Sequence, residues 1–292
     1  MSKISPLILG LSTLIVGGSF ALAQNAAPSS IPMVLQIQRE YIKPYKSGSA
    51  HDKTESAIAA AFAKAKFPAY YVGLNSLSGK SRGLYLTQYA SFADWEKANK
   101  IMDKNPTLGA EFDRTSQADG ENLEELDSVV YTYDADLSYH PHADISHARY
   151  MQITIFHIKK GHYAEWKELT KMVKDANEKG GTSAHWATFD IAYGAENDTY
   201  ISLSSDNSMT DIDTGFSESK KFVAGMGGEE AMKKFDELYG KTVESMRTEL
   251  FSINPKQSYV NPEWIASDPD FWKPKAAMAA KPAAKPADAA KP

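Results

Sequence analysis

The chain has 292 residues, room for one large or two ordinary domains, and 42% are hydrophobic, with 15 Tyr, 12 Phe and 5 Trp to build real cores. Its net charge is −5 at pH 7, and both ends are basic, so the body between them is acidic and does not suit nucleic acid as a partner. Cysteine is absent, which excludes disulfides, thiolate metal sites, a cysteine nucleophile and a lipid-modified N-terminal cysteine.

The first 23 residues read as a secretory signal. Lys3 gives a positive start, "ISPLILGLSTLIV" is an apolar run too short for a comfortable membrane span, and Ala21–Ala23 offer small residues for cleavage before Gln24. The expected product is an exported bacterial protein, periplasmic or extracellular, with no membrane insertion after cleavage. Residues 24–31 follow as a flexible segment. From Val34, "VLQIQREYI" alternates with period two and predicts a strand. "TESAIAAAFAKAKF" is Ala-rich, sets Ile58 and Phe62 one turn apart and stops before Pro68, so it predicts a helix. "AYYVGLNS" and "GLYLTQY" predict two further strands, and Ser91 with Asp94 makes a capping pattern ahead of "WEKANKIM". A last strand, "SVVYTYDADLSY", ends at Tyr139.

In "YHPHADISHARY", Tyr139 to Tyr150, His140, His142 and His147 stand close to Asp144. Spacings of two and five residues in a Pro-containing loop fix no coordination geometry, so 139–148 reads as a linker and no metal is assigned. Beyond it, "EWKELTKMV" puts Trp166, Leu169 and Val173 on one helical stripe, and Ser208 with Asp211 repeats the capping pattern. "GMGGEE" from Gly225 reads as a helix-to-helix turn, with Glu229 and Glu230 favouring the next helix start. From residue 266 a solvated, disordered tail is expected, ending in Ala, Lys and Pro with no apolar period.

The second half echoes the first at an offset of about 115–120 residues. "YIKPYKSG" from Tyr41 returns as "HIKKG" from His157, and "AYYVGLNSLSGK" from Ala69 as "AHWATFDIAYGA" from Ala184. Residues 32–138 and 149–265 are therefore two copies of one unit. The reading is an α+β fold, two ferredoxin-like βαββαβ repeats whose antiparallel sheets pack into an intramolecular α/β barrel. Each unit covers the other's bare sheet, so a monomer, an internal pseudo-dimer, is expected.

"IKKGHYAEWKEL", a strand end, Lys-x-Gly turn and aromatic-bearing helix, resembles dimeric α/β-barrel proteins of the NIPSNAP and antibiotic-biosynthesis-monooxygenase groups. "KPYKSGSAHDKTESAIAAAFAKAKFPAYYVGLNSLSG" and "LTQYASFADWEK" resemble secreted tandem-repeat members of that superfamily from environmental bacteria. The resemblance spans about residues 32–265 and implies the barrel fold. It implies activity only weakly, because such barrels host unrelated chemistries.

Alternation sorts each strand into two faces. The apolar set, including Leu35, Ile37, Val72, Leu74, Met151, Ile153, Ala187 and Phe189, is assigned to the helices. That sends Gln36, Gln38, Glu40, Tyr71, Asn75, Tyr85, Gln152, Thr154, Trp186, Asp190 and Ser202 between the sheets, as a polar, aromatic-lined cavity for a small organic molecule. Glu40 and Asp190 are the candidate carboxylates for acid–base work; His185, with His51, His157 and His162, is placed near the barrel mouths. The sequence has no Gly-rich phosphate loop, Ser nucleophile elbow or HExxH. The expected function is ligand binding without a cofactor. The alternatives are a cofactor-independent monooxygenase- or isomerase-like enzyme and a cell-envelope scaffold.

Overall fold

Strand β1 (Val34–Ile42) leads into helix α1 (Gly48–Ala65), followed by β2 (Tyr71–Ser76) and β3 (Arg82–Tyr89). Helices α2 (Phe92–Asp103) and α3 (Pro106–Gly120) and strand β4 (Leu123–Tyr139) complete the first half. The second half runs in nearly the same order: β5 (Tyr150–Ile158), α4 (Tyr163–Gly180), β6 (Trp186–Tyr193) and β7 (Thr199–Asp206). Three helices, α5 (Met209–Ser217), α6 (Ser219–Met226) and α7 (Glu229–Thr242), then precede β8 (Val243–Ile253), and the short helices α8 (Pro262–Ser267) and α9 (Pro269–Trp272) follow it. The computed structural model describes residues 31–46, 48–142 and 144–273; the expected secretory signal, the expected flexible segment up to residue 30 and the expected tail from 274 lie outside them.

Local chemistry explains several boundaries. Ser91 Oγ accepts the Asp94 N–H at the start of α2, and Ser208 and Asp211 form a reciprocal capping box on α5. Gly227 and Gly228, at φ of 96° and 102°, make the turn between α6 and α7 that only glycine adopts easily. No helix among the described residues is long and apolar enough to cross a membrane.

All eight strands pair antiparallel, in the order β1-β3-β2-β8-β5-β7-β6-β4. β4 pairs with β6 on one side and with β1 on the other, so the ladder closes on itself as a barrel. The result is a mixed α+β architecture of the ferredoxin-like, dimeric α/β-barrel kind.

The period-two alternation is present, but the assignment of its faces is inverted. Leu35, Ile37, Val72, Leu74, Leu84, Leu86, Met151, Ile153, Phe189, Ile201, Phe251 and Ile253 form one continuous cluster with members from both halves, which is the barrel interior. Register confirms the shared side: Ile37 lies opposite Leu86, Leu74 opposite Ile253, Met151 opposite Phe251 and Phe189 opposite Ile201. Tyr71, Tyr85, Val34 and Val130 instead pack under α1 to α3 with Ile58 and Phe62. Consequently Gln36, Gln38, Glu40, Tyr71, Asn75 and Tyr85, and in the second half Gln152, Thr154, Trp186, Asp190 and Ser202, lie on the helix side and not between the sheets. In a closed barrel both faces are covered, so alternation separates inside from helix layer rather than buried from exposed. The more uniformly apolar set takes the side fully shut from water.

One mouth of the barrel is plugged by Ala148, Val260, Trp264 and Trp272, and Trp272 Nε1 donates to the Ser146 carbonyl at 2.8 Å. Residues 266–272, expected to begin the tail, are therefore ordered: burying two indoles outweighs the Pro-rich composition around them. Toward the other mouth the interior carries ion pairs, Arg39 with Asp127 and Arg82 with Glu249.

Candidate functional site

In the first half, β1 turns Glu40 toward α1. His51 and Glu55, four residues apart, share the inward face of that helix one turn below Ile58 and Phe62. The last turn of α3 brings Asp119 to the same point. His51 Nδ1 lies 2.9 Å from Asp119 Oδ1, and its Nε2 lies 3.1 Å from Tyr85 Oη and 3.7 Å from Glu40 Oε2. Thr54 Oγ1 also donates to Asp119, and Gln38 Nε2 donates to Glu40 Oε1. Gly83 faces Glu40 in the β1–β3 register, and a Cβ there would stand 2.9 Å from His51 Nε2, so only glycine leaves the imidazole room. None of Glu40, His51, Glu55 and Asp119 is more than 3% exposed.

So many buried acids cannot all ionise without compensation. Burial raises the Glu40 carboxyl to about 7; the Asp119 charge adds to the rise, while the Gln38 hydrogen bond and His51 work against it. Burial, then the charges of Glu40 and Asp119, hold Glu55 well above the usual carboxylate range. Asp119 goes the other way: burial opposes ionisation, but the His51 and Thr54 hydrogen bonds win and lower it. For His51 burial disfavours the cation, and the hydrogen bond and charge of Asp119 overcome it and raise the imidazole.

The equivalent place in the second half is apolar. Phe156 of β5 stands opposite Tyr200 of β7, where the first half has Glu40 opposite Gly83. Beneath α4 and α7 lies a cavity of about 280 Å³. Leu137, Phe156, Trp166, Leu169, Trp186, Phe235, Tyr239 and Met246 give it apolar and aromatic walls, and Thr154, Thr170, Thr188, Ser202 and Ser204 give it hydroxyls. Most hydroxyls of the floor are paired: Thr154 with Thr248, and Thr188 with Ser202, each at 2.9 Å. Trp186 Nε1 donates to the Leu137 carbonyl at 2.9 Å. Two polar groups in the wall, Trp166 Nε1 and Thr170 Oγ1, are buried without a partner.

The residues expected to share one cavity are thus divided. Gln38, Glu40, Tyr71 and Tyr85 gather around His51; Thr154, Trp186 and Ser202 line the second-half cavity. Gln36 Nε2 donates to Ser128 Oγ at 3.2 Å, Gln152 Nε2 donates to Asp206 at 2.9 Å, and Asn75 lies beside Gly83 in the β2–β3 register. Asp190 sits opposite Tyr200 on β7, raised by burial and by the charge of Asp134, and does not meet Glu40. His185 has Ser205 and Ser183 carbonyls at its two ring nitrogens and stacks on His142 at 3.8 Å. His157 pairs with Thr199, and His162 lies 3.4 Å from Glu165. The linker histidines part company: His140 stacks on Tyr139, and His147 lies 3.5 Å from Asp268. Glu55 and Asp119 are additions of the structure. The His51–Glu55 spacing on a helix was a usable signal; Asp119, 64 positions beyond Glu55 in the chain, offered none.

The chain matches no family model and no curated protein. Among solved structures it is similar to a candidate monooxygenase from Fusobacterium nucleatum, at 9% identity and a TM-score of 0.52, over 77% of this chain and 93% of that one. An anthrone oxidase-like protein aligns at 14% identity and a TM-score of 0.48, over 76% and 91% of the two chains. A heme-binding protein from Thermus thermophilus aligns at 11% and 0.41, over 78% and 96%. At these identities the likeness to the first is one of fold alone, over 93% of that chain.

Proposed function

We propose that this chain binds a small, mostly apolar organic molecule carrying a hydrogen-bond acceptor, in the cavity beneath α4 and α7. The observation that carries the reading is the cavity itself, about 280 Å³ walled by Phe156, Trp166, Trp186, Phe235 and Tyr239, with two donors of lining residues, Trp166 Nε1 and Thr170 Oγ1, left without a protein partner. Leaving such a group unpaired costs about 1–3 kcal/mol, so a side-chain turn that lets a ligand acceptor reach it is favoured. The lining holds no His, Asp, Glu, Lys or Arg, so it favours holding a molecule over acid–base turnover. An enzyme-like role is the second reading. It draws on the Fusobacterium nucleatum protein of like fold, and it would have to use Tyr239 or groups of the ligand itself.

The probe 1,4-naphthoquinone, a bicyclic acceptor, should bind the full chain at one saturable site in isothermal calorimetry. Thr170→Val and Trp166→Phe each remove a donor, and each should weaken binding about 2- to 12-fold. No saturable binding by quinones or phenols of this size, or unchanged affinity in both variants, overturns the reading.

We further propose that the halves are copies of one ferredoxin-like unit and that the chain is exported, cut before Gln24 and active as a monomer. The echoed sequences and element orders support the first point, the apolar run before Ala21 the second, and a sheet that closes without a partner strand the third. Exported material should have the mass of one chain starting at Gln24, by mass spectrometry and light scattering. An intact Met1, or a stable dimer, would count against it.

A further inference from the structure

The first-half cluster lies apart from the ligand cavity and asks for a different occupant. Among the described residues, Glu40, His51, Glu55 and Asp119 are the group that can each offer one donor atom with all donor atoms within 4.8 Å of one another. Three carboxylate oxygens there, Glu40 Oε2, Glu55 Oε1 and Asp119 Oδ2, are buried with no hydrogen-bond partner, as is Tyr71 Oη. Buried acceptors of this kind are normally paired, and three in one place call for protons on the acids or for a cation that displaces them.

We propose that Glu40, Glu55 and His51 Nε2 bind one divalent first-row transition-metal ion, with Asp119 as a positioning residue behind the imidazole. The donor spread is close to twice a metal–ligand bond of about 2.0–2.3 Å, as needed for opposed ligands on one ion. Asp119 already holds His51 Nδ1 at 2.9 Å, which fixes the ring and leaves Nε2 facing Glu40 and Tyr85. That carboxylate–imidazole pairing is what orients metal-bound histidines. Glu40, Glu55 and a dication sum to zero charge, and the charge left on Asp119 is held by its hydrogen bonds from His51 and Thr54. The nitrogen donor selects Zn(II), Mn(II) or Fe(II) over Mg(II) and Ca(II), which prefer oxygen alone. Exposure of 3% or less suits an ion that stays in place better than a substrate that must come and go.

The full chain, stripped with chelator and titrated with Zn(II) and Mn(II), should take up one ion, at least 100-fold more tightly than Mg(II). Glu40→Gln and Glu55→Gln should each weaken uptake 10-fold or more. Asp119→Asn should weaken it 10- to 100-fold while keeping the stoichiometry. Mn(II) bound to the unaltered chain should show coupling to a single imidazole nitrogen in pulsed electron paramagnetic resonance, a readout that does not depend on any variant folding. Absence of uptake at millimolar ion overturns the proposal. So does uptake that survives in Glu40→Gln/Glu55→Gln, and so does coupling to two nitrogens, which would place the ion on the stacked His142 and His185.

Discussion

Replacing Glu249 by Ala is expected to lower the unfolding free energy by about 3–5 kcal/mol, the cost of stranding a buried charge. Arg82 and Glu249 are each 5% exposed inside the barrel, and their contact joins β3 of the first half to β8 of the second. The guanidinium lies between the rings of Tyr41 and Phe251, at 5.6 and 5.1 Å from their centroids, so without Glu249 it has apolar neighbours and no anion. Arg247 also reaches Glu249, at 3.5 Å, but it is largely exposed and gains water when the pair is lost. The double variant Arg82→Met/Glu249→Leu should recover most of the loss, because an apolar pair of similar volume pays no desolvation. Urea midpoints of the single and double variants measure both effects. A double variant no better than Glu249→Ala would mean that shape, not charge, sets the cost.

Chelator-treated protein should become less stable as pH rises from 5 to 8.5. Glu40 has a folded pKa of about 7 against an ordinary 4.5, so over that interval the folded state binds protons that the unfolded chain has released. A raised acid contributes stability that is complete below the unfolded value and is lost as pH climbs through the folded one. For Glu40 this is on the order of 3 kcal/mol. Glu55 and His51 are also raised and act in the same sense. Asp119 is lowered, so its contribution fades only under acid, below 3.8 and outside the interval. The other groups facing the cluster do not reverse the trend: Tyr71 and Tyr85 are pushed well above 10 by burial, and Gln38 does not titrate. Thermal unfolding across the range should show the fall, and Glu40→Gln should make it shallower, leaving the share of Glu55 and His51. A flat profile in the unaltered chain would sink the assignment of buried, protonated acids.

The strands and helices are legible in the sequence because their periods differ, and the caps at Ser91 and Ser208 mark where two helices begin. Which face of each strand looks inward is not legible, because a closed barrel buries both. "VLQIQREYI" is equally consistent with Leu35 or Gln36 turned to the interior until the sheet is known to close. The same inversion explains why Trp186 belongs to a cavity, but one beneath helices of its own half. The acid cluster depends on Asp119 and Gly83, whose roles exist only once α3 and β3 are folded against α1. The C-terminal helices were hidden for another reason: Trp264–Ile265 and Phe271–Trp272 are short apolar pairs amid Pro and Asp, with no period to mark them, and their value lies in the mouth they close.

The circular strand order has a consequence for how the chain is made. β2 waits for β8, the last strand, and β4 waits for β6. Emerging N-terminus first, from a ribosome or a translocation channel, the first four strands can form a sheet but cannot shut it. At ordinary ribosomal speeds the interval between the end of β4 and the end of β8 is roughly 5–25 s. Until β6 and then β8 arrive, the open strand edges and the side chains of Leu35, Ile37, Val72 and Leu74 lack the partners that close the barrel. A half-made molecule of this kind is a template for pairing with its neighbours, so its yield in a crowded cell is governed less by final stability than by what shields those seconds.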